Sequence, residues 1–269
     1  MAFRSLLFLP ADRVDRLERA IGSGADAVCL DLEDAVAPAQ KPEAHAAAVQ
    51  ALVARDADRG GPAVGVRINA AGTPWFEDDL SVLGPKADFV MVPKATSALA
   101  IATVAKVAPR ARLWPLIESA GGLMRCWEIA AAPGVQGVLF GAFDYSADVG
   151  CVMEWEPLLF ARSQLAAACA RARVELLDAP SGDIRDNDSL AGSTRRAKGL
   201  GFTGRSCIHP DQVAVVNSIF TPTAAEVDRA RRLVDAFDAA GGRAAQLDGR
   251  LIELPVALAA RRVLARAGV

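Results

Sequence analysis

The sequence predicts an α/β protein, a (β/α)8 TIM barrel with a C-terminal helical extension. Its 269 residues suit such a barrel, which takes about 250, and short apolar runs alternate with helical segments along the chain. These runs are near-continuous, as in parallel strands that are covered on both faces. The eight runs are Ser5–Pro10, Ala27–Glu33, Ala63–Asn69, Phe89–Lys94, Arg112–Glu118, Gly137–Asp144, Val174–Ser181 and Gly201–His209.

An open, doubly wound sheet is the alternative architecture for alternating strands and helices. Such a sheet usually has a glycine-rich, phosphate-binding turn after its first strand. Here that turn is Pro10-Ala11-Asp12-Arg13, without glycine. The sequence therefore favours the closed barrel.

The chain continues beyond the eighth run into two further helical segments, Ala224–Ala240 and Pro255–Arg266. A polar turn and a short segment around Asp248-Gly249 join them. We predict that residues 1–222 form the catalytic barrel. Residues 223–269 are predicted to be an extension that packs on the barrel or on a neighbouring subunit.

Composition excludes several classes of protein. A net charge of −2 argues against nucleic acid as the main partner. A hydrophobic content of 52% indicates a large core and some apolar surface that is buried between subunits. The first apolar run stops at Pro10, so we interpret it as a strand and not as a signal peptide. No run reaches the roughly 18 residues of a membrane span.

The cysteines indicate a reducing compartment. There are five, an odd number, and none form a C-x-x-C motif. This pattern suits reduced thiols in a cytoplasmic protein better than a disulfide framework or a zinc site. We therefore expect a soluble, cytoplasmic protein whose cysteines act as small core residues.

Polar residues close most of the apolar runs, where a parallel barrel carries its catalytic groups. Single residues such as Asn69, Ser119 and Ser181 are explained equally well as helix caps. Glu118 and Asp144 differ, because they end adjacent strands and project into one pocket. Two such carboxylates repel each other strongly unless a cation lies between them.

The predicted cation is Mg²⁺, with Mn²⁺ tolerated. Ligation by carboxylates alone, completed by water and substrate oxygens, suits such a hard cation. His45 and His209 are the only histidines, and no Cys/His cluster competes. His45 lies in a helical segment as a surface or packing residue. His209 precedes Pro210 as a helix cap or as a group that supports the site.

Several motifs together resemble one family. Arg4–Pro10 and Leu30–Val36 resemble the opening of citrate lyase β-subunit-like proteins of the HpcH/HpaI aldolase superfamily. The motifs span most of the chain and follow one another in the same order as in the family. The other motifs that carry it are Val66–Asn69, Val92–Ala95, Leu116–Ser119, Phe140–Tyr145 with Asp148, and Gly204–Pro210.

The resemblance implies roles for particular residues. Glu118 and Asp144 correspond to the metal-binding carboxylates. Arg67 corresponds to the arginine that holds the substrate oxygens and steadies an enolate. Lys94 and the pair Glu33-Asp34 line the same pocket.

The resemblance also implies a coenzyme A thioester substrate and a homo-oligomer, a trimer or hexamer. Arg13 and Arg16, just beyond the first run, are candidate contacts for the coenzyme A phosphates or simply helix-surface charges. Asp248 corresponds to an Asp that completes the site of the neighbouring subunit. Two departures are Glu253, where relatives tend to carry Asp, and His45, where an Arg is commoner.

The function that we expect is Mg²⁺-dependent cleavage or formation of a carbon–carbon bond in a 3-hydroxyacyl-CoA thioester. Malyl-CoA, citramalyl-CoA and citryl-CoA are the candidate substrates. One alternative is a class II aldolase that releases pyruvate from a hydroxy-oxo acid. Another is a β subunit of a citrate lyase complex that depends on acyl-carrier partners. The strand end Asp31–Asp34 and the C-terminal Asp248-Gly249 favour the thioester lyase over the aldolase.

Overall fold

The computed structural model describes residues 3–56 and 60–269. The chain divides into two compact units, residues 1–218 and 219–269. The first unit contains a closed barrel of parallel strands in sequence order, with β8 paired to β1. The predicted barrel is therefore confirmed. Its strands are β1 (Ser5–Pro10), β2 (Ala27–Asp31), β3 (Ala63–Arg67), β4 (Phe89–Val92), β5 (Arg112–Ile117), β6 (Gly137–Phe140), β7 (Glu175–Asp178) and β8 (Gly204–Cys207).

Helices follow the strands around the barrel. A 3-10 helix, Ala11–Arg16, leads from β1 into α1, and a second one, Pro38–Gln40, leads into α2. A π-helix, Asp79–Leu83, follows α3. The α-helices of the chain are α1 (Leu17–Ile21), α2 (Lys41–Asp56), α3 (Phe76–Asp78), α4 (Ala98–Val107), α5 (Ala120–Met124), α6 (Cys126–Ala130), α7 (Ala142–Val149), α8 (Trp155–Ala172), α9 (Asn187–Leu200), α10 (Pro210–Phe220), α11 (Ala224–Ala239) and α12 (Leu254–Ala267).

The barrel interior is filled by buried side chains from most of its strands. Phe3 stacks on Trp114 with ring centroids 5.2 Å apart, among buried residues that include Phe89 and Met91. Gly137 makes room for the indole, because a Cβ there would lie 2.2 Å from the Trp114 ring. Aromatic pairs of this kind add about 0.5–1.5 kcal/mol beyond the burial of their area. The core thus fixes the strands whose ends carry the polar residues.

Apart from β1, the strands are shorter than the apolar runs. β2 ends at Asp31 and β6 at Phe140, so Glu33 and Asp144 lie beyond the strands that we expected them to close. Asp144 instead belongs to the first turn of α7, where a carboxylate is favoured by the helix dipole. The runs extend past β2, β3 and β5 because the residues that follow these strands, Leu32, Ile68 and Glu118, are also buried.

The C-terminal unit contains α11, α12 and, between them, a hairpin. The hairpin strands are β9 (Ala245–Leu247) and β10 (Arg250–Ile252), which pair antiparallel where we expected only a polar segment. Asp248 and Gly249 form its turn with φ values of 50° and 75°, the left-handed conformation that Asp-Gly hairpin turns adopt. Strands of three residues each are too short to show an alternating pattern.

Two further expectations concern the whole chain. All five cysteines are free, and only Cys151 is partly exposed, as expected for reduced core residues. Within the described ranges, 3–56 and 60–269, we find no helix with the length and apolar character needed to cross a membrane.

Candidate active site

A cavity of about 380 Å³ lies at the carboxyl ends of the barrel strands. Asp31 and Arg67 end β2 and β3, whereas Glu118 directly follows β5. The floor and rim also contain apolar side chains, among them Phe8 and Ile208. The cavity therefore combines charged groups with an apolar wall, as ligand sites usually do.

Glu118 and Asp144 form a carboxylate pair in this cavity. Glu118 is only 4% exposed, and its Oε1 accepts a hydrogen bond of 2.5 Å from the backbone N–H of Lys94. Burial, a hydrogen bond with Asp144 and the charge of Glu33 raise the pKa of Glu118 to about 8. In the absence of a cation, Glu118 therefore retains its proton at neutral pH.

Gly141 allows this pair to form. It lies between β6 and α7, and a Cβ at this position would come within 2.5 Å of the Glu118 Cβ and 2.9 Å of its Oε2. Real Cβ atoms are never that close to another carbon, so any larger residue would displace Glu118. The missing side chain is thus a condition for the position of the carboxylate.

Arg67 is held rigidly on the other side of the cavity. Its Nε and Nη2 donate to the two oxygens of Asp31 at 2.7 and 2.6 Å. Its Nη1 lies 3.0 Å from Glu33 Oε2, and the guanidinium sits over the ring of Phe8. Burial opposes its charge, but the carboxylates of Asp31, Glu33 and Asp34 raise the pKa of Arg67 well above its usual value. The guanidinium therefore stays charged and oriented.

Lys94 connects the arginine side with the carboxylate pair. Its Nζ lies 3.4 Å from Glu33 Oε1 and 3.7 Å from Asp144 Oδ2. Its backbone has a φ of 49°, an unusual conformation for lysine that costs about 1–3 kcal/mol. Burial works against its charge, but Glu118, Glu33 and Asp144 raise the pKa of Lys94.

Glu33 and Asp34 differ in their surroundings. Glu33 is buried, neither of its carboxylate oxygens has a hydrogen-bond partner of good geometry, and burial raises its pKa. Asp34 is exposed at the rim, with its Oδ2 3.6 Å from Arg67 Nη1. The structure therefore brings together six of the predicted pocket residues with one that was not predicted, Asp31. The six are Glu33, Asp34, Arg67, Lys94, Glu118 and Asp144.

The remaining candidates lie elsewhere. Arg13 and Arg16 are exposed on the 3-10 helix after β1, and Arg13 lies 3.7 Å from Asp15. Asp248 lies in the C-terminal unit, where both of its oxygens accept hydrogen bonds from Arg232. His209 accepts a hydrogen bond from the backbone N–H of Asp211 at the start of α10, which favours the helix cap.

Two supporting residues were missed by sequence reasoning. Asp31 holds Arg67, and the only signal was that both residues lie two positions before the ends of neighbouring runs. Lys41 donates hydrogen bonds to the backbone of Leu32 and Glu33 and to Asn69. Its position at the start of a helix gave no signal, because these contacts are made by tertiary structure.

These features define a class of protein. A closed barrel whose strand ends bring a buried arginine and lysine next to a carboxylate pair is an enzyme scaffold suited to small anionic oxo compounds. The chain belongs to the HpcH/HpaI aldolase/citrate lyase family, whose model matches residues 4–210. The resemblance inferred from the motifs is thus confirmed, and with it the enzyme class, a carbon–carbon lyase.

Known relatives agree with this membership. The (3S)-malyl-CoA thioesterase of Cereibacter sphaeroides is 34% identical over 98% of this chain and 94% of its own length. The L-malyl-CoA/β-methylmalyl-CoA lyase of the same species is 34% identical over 93% of this chain and 90% of its own.

A solved structure is also similar. It is the protein CitE from Mycobacterium tuberculosis in complex with magnesium, acetoacetate and coenzyme A. Its TM-score is 0.83 at 34% identity, and the match covers 100% of this chain and 99% of that one.

Proposed function

We propose that this protein is a Mg²⁺-dependent lyase that cleaves or forms the carbon–carbon bond of a 3-hydroxyacyl-CoA thioester, with malyl-CoA as the leading substrate. The observation that carries the proposal is the pairing of Glu118 with Asp144 in a cavity that also contains a preorganised arginine. The substrate class is supported by the names of the relatives, two of which act on malyl-CoA.

The donor set fits Mg²⁺. A divalent cation bound between the two carboxylates would displace the proton that the raised pKa keeps on Glu118. Within the part of the chain that the structure describes, no group of three or more Asp, Glu, His or Cys is arranged to hold a metal. Glu118 and Asp144 would thus supply two ligands, and water and substrate oxygens the others, as is common for Mg²⁺. The bound ion would supply a Lewis acid for the carbonyl of a 2-oxo acid.

Arg67 supplies positive charge where the reaction develops negative charge. In the cleavage direction a base removes the proton of the C3 hydroxyl, and this carbon becomes the carbonyl of glyoxylate. The electrons of the broken C2–C3 bond remain on the thioester fragment as an enolate, which becomes acetyl-CoA when its carbon is protonated. A guanidinium held in place by Asp31 needs little reorganisation to stabilise this enolate.

Lys94, Glu33 and Asp34 maintain the charge balance of the pocket. The buried carboxylate of Glu33 lies between the cationic groups of Arg67 and Lys94. This arrangement orients both cations toward an anionic substrate. Asp34, at the exposed rim, completes the pocket beside Arg67.

Asp248 is proposed to act in the site of a neighbouring subunit of a homo-oligomer. In the synthetic direction it would take a proton from the methyl group of the thioester. Its exposed position on a hairpin turn of the C-terminal unit supports this role. Arg13 and Arg16 are proposed to contact the phosphates of coenzyme A, because both are exposed beyond the end of β1. A cytoplasmic location fits the free cysteines.

Thioester hydrolysis is a second candidate function, because one relative is a (3S)-malyl-CoA thioesterase. The two activities differ in the bond that breaks. A lyase converts malyl-CoA into glyoxylate and acetyl-CoA, whereas a thioesterase adds water and releases malate with a free coenzyme A thiol.

A product analysis separates the candidates. The purified protein is incubated with Mg²⁺ and, in separate reactions, with hydroxyacyl-CoA thioesters and with hydroxy-oxo acids, and 2-oxo acids and free thiols are measured separately. A lyase gives a 2-oxo acid in step with a shorter acyl-CoA and releases no thiol. Free thiol without 2-oxo acid would indicate the thioesterase. Pyruvate from a hydroxy-oxo acid, with every thioester left intact, would indicate the aldolase. The Glu118→Gln variant is the control for contaminating activity.

A further inference from the structure

A buried lysine lies behind the loop that carries Glu33. Lys41 is the first residue of α2 and is only 6% exposed. Its Nζ donates three hydrogen bonds, to the carbonyls of Leu32 at 2.6 Å and Glu33 at 2.8 Å and to Asn69 Oδ1 at 2.6 Å. An ammonium group has three donors, so this buried cation is fully satisfied.

The acceptor on Asn69 is itself fixed. The backbone N–H and the Nδ2 of Asn69 donate to Asp79 Oδ2 at 2.9 and 2.7 Å. The other oxygen of Asp79 lies 2.9 Å from His45 Nδ1. The Lys41 ammonium also lies 5.1 Å from the centre of the Trp75 ring. The network thus links α2 and the loop after β3 to the loop after β2.

The loop after β2 has few other anchors around Glu33. The N–H of Leu32 donates to the carbonyl of Arg67 at 3.0 Å, and the N–H of Val36 donates to the carbonyl of Glu33 at 3.3 Å. The N–H of Glu33 donates to Asp31 Oδ1 at 2.9 Å. Among the residues that the structure describes, Lys41 is the one that donates to the carbonyls of both Leu32 and Glu33. The direction of these carbonyls sets the direction of the Glu33 side chain.

A buried ammonium is unfavourable unless its hydrogen bonds are made. Burial lowers the pKa of Lys41, while the charges of Asp31, Glu33 and Asp79 oppose this effect. Losing any acceptor would leave a desolvated donor. The lysine and the loop therefore depend on each other for their conformation.

We propose that Lys41 is a positioning residue that fixes Glu33 between Arg67 and Lys94. It does not line the cavity and acts through the loop backbone. Its effect on catalysis rests on the function proposed above, but its effect on the loop does not.

The first test measures the loop directly, without substrate or metal. Hydrogen–deuterium exchange of residues 32–36 is compared in the wild type and in the Lys41→Met variant, which keeps the length of the side chain. We expect exchange there to be faster by about tenfold, because local opening becomes easier, and exchange in β8 to be unchanged. The matched control is Lys86→Met, since Lys86 is exposed and donates only to the carbonyl of Val82. Unchanged exchange of the loop in folded Lys41→Met protein would overturn the proposal.

A second variant covers the case in which Lys41→Met does not fold. Lys41→Arg keeps the charge but spreads its donors over a planar group that cannot point them at three converging acceptors. We expect the same acceleration of loop exchange, to a smaller extent. A folded arginine variant with wild-type exchange would contradict the proposed role just as clearly.

The second test separates positioning from stability. In folded Lys41→Met protein we expect kcat for thioester cleavage to fall by about tenfold or more with a much smaller change in KM, because misplaced cations weaken transition-state stabilisation. A residue that only stabilises the fold would lower the melting temperature and leave kcat of the folded enzyme unchanged, which would refute the catalytic part. If the wild type cleaves no thioester, the proposed function fails, while the exchange measurement still decides the role of Lys41.

Discussion

Asp31 and Arg67 are the last residues of neighbouring parallel strands and lie directly opposite each other in the sheet register. They form a two-pronged ion pair, with Nε–Oδ1 and Nη2–Oδ2 distances of 2.7 and 2.6 Å. The pair leaves Nη1 of Arg67 beside Glu33 at the cavity. The register of the two strands thus places the charged guanidinium at the proposed site.

The Arg67→Lys variant tests the importance of this geometry. Lysine keeps the charge but loses the planar fork that Asp31 holds. We expect kcat/KM to fall by more than about tenfold, which corresponds to roughly 1.4 kcal/mol of transition-state stabilisation. Steady-state kinetics measure the effect, with Arg125→Lys as a control on the barrel surface. An unchanged kcat/KM in Arg67→Lys would mean that Arg67 has only a structural role.

The raised pKa of Glu118 predicts how the stability of the metal-free protein depends on pH. Unfolding lowers the pKa of this carboxyl from about 8 to about 4.3, so the folded protein retains a proton that the unfolded chain loses. The stability that this proton contributes is complete below the pKa of the unfolded chain. It is lost as the pH rises through the pKa of the folded protein. Metal-free wild type should therefore lose stability relative to Glu118→Gln across this range.

Chemical denaturation between the two pKa values measures the difference, and Mg²⁺ provides the control. Added Mg²⁺ should raise the stability of the wild type at pH 8 and affect Glu118→Gln much less, because the variant lacks one of the two proposed ligands. If the difference in stability between the wild type and Glu118→Gln does not change with pH, Glu118 is ionised in the metal-free protein.

Gly141→Ala tests the position of the carboxylate without removing it. The added Cβ would lie within 2.5 Å of the Glu118 Cβ, so Glu118 must shift. We expect kcat/KM to fall by about tenfold or more, since small displacements of catalytic groups are costly. Gly199→Ala is the control, because nothing lies near its Cβ in α9 and alanine is about 1 kcal/mol better than glycine in a helix. Full activity in Gly141→Ala would disprove the requirement.

Asp248 is tested by mixing inactive subunits. If it acts in a neighbouring subunit, Asp248→Asn protein mixed with Glu118→Gln protein should regain part of the activity once subunits exchange. Some sites then combine an intact Glu118 with an intact Asp248. Glu118→Gln mixed with Asp144→Asn is the control and should regain nothing, because both residues belong to one barrel.

Two results would contradict the role of Asp248 across the interface. Full activity of Asp248→Asn alone would exclude any role in the reaction. Failure of the mixture to regain activity, despite proven subunit exchange, would assign Asp248 to the site of its own subunit.

The barrel was predictable because its strands are covered on both faces and so read as continuous apolar runs. For the same reason the residues at which the strands end could not be predicted. Leu32, for example, is fully buried although it lies past β2. Glu118 and Asp144 were identifiable from their places at the ends of these runs, and Arg67 from the resemblance to the family. The pairing of Asp31 with Arg67 depends on strand register, and the contacts of Lys41 join residues far apart in the chain. Neither follows from local sequence.

The most direct test of the central claim is the metal dependence of glyoxylate release from malyl-CoA by the wild type and by Glu118→Ala and Asp144→Ala. Each variant removes one proposed ligand from the cavity and leaves the barrel core unchanged. We predict that the wild type releases glyoxylate with Mg²⁺ and stops when the metal is chelated. Both variants should be folded, by circular dichroism, and inactive at every Mg²⁺ concentration. Metal-dependent release near the wild-type rate in both variants would contradict the assignment of the site.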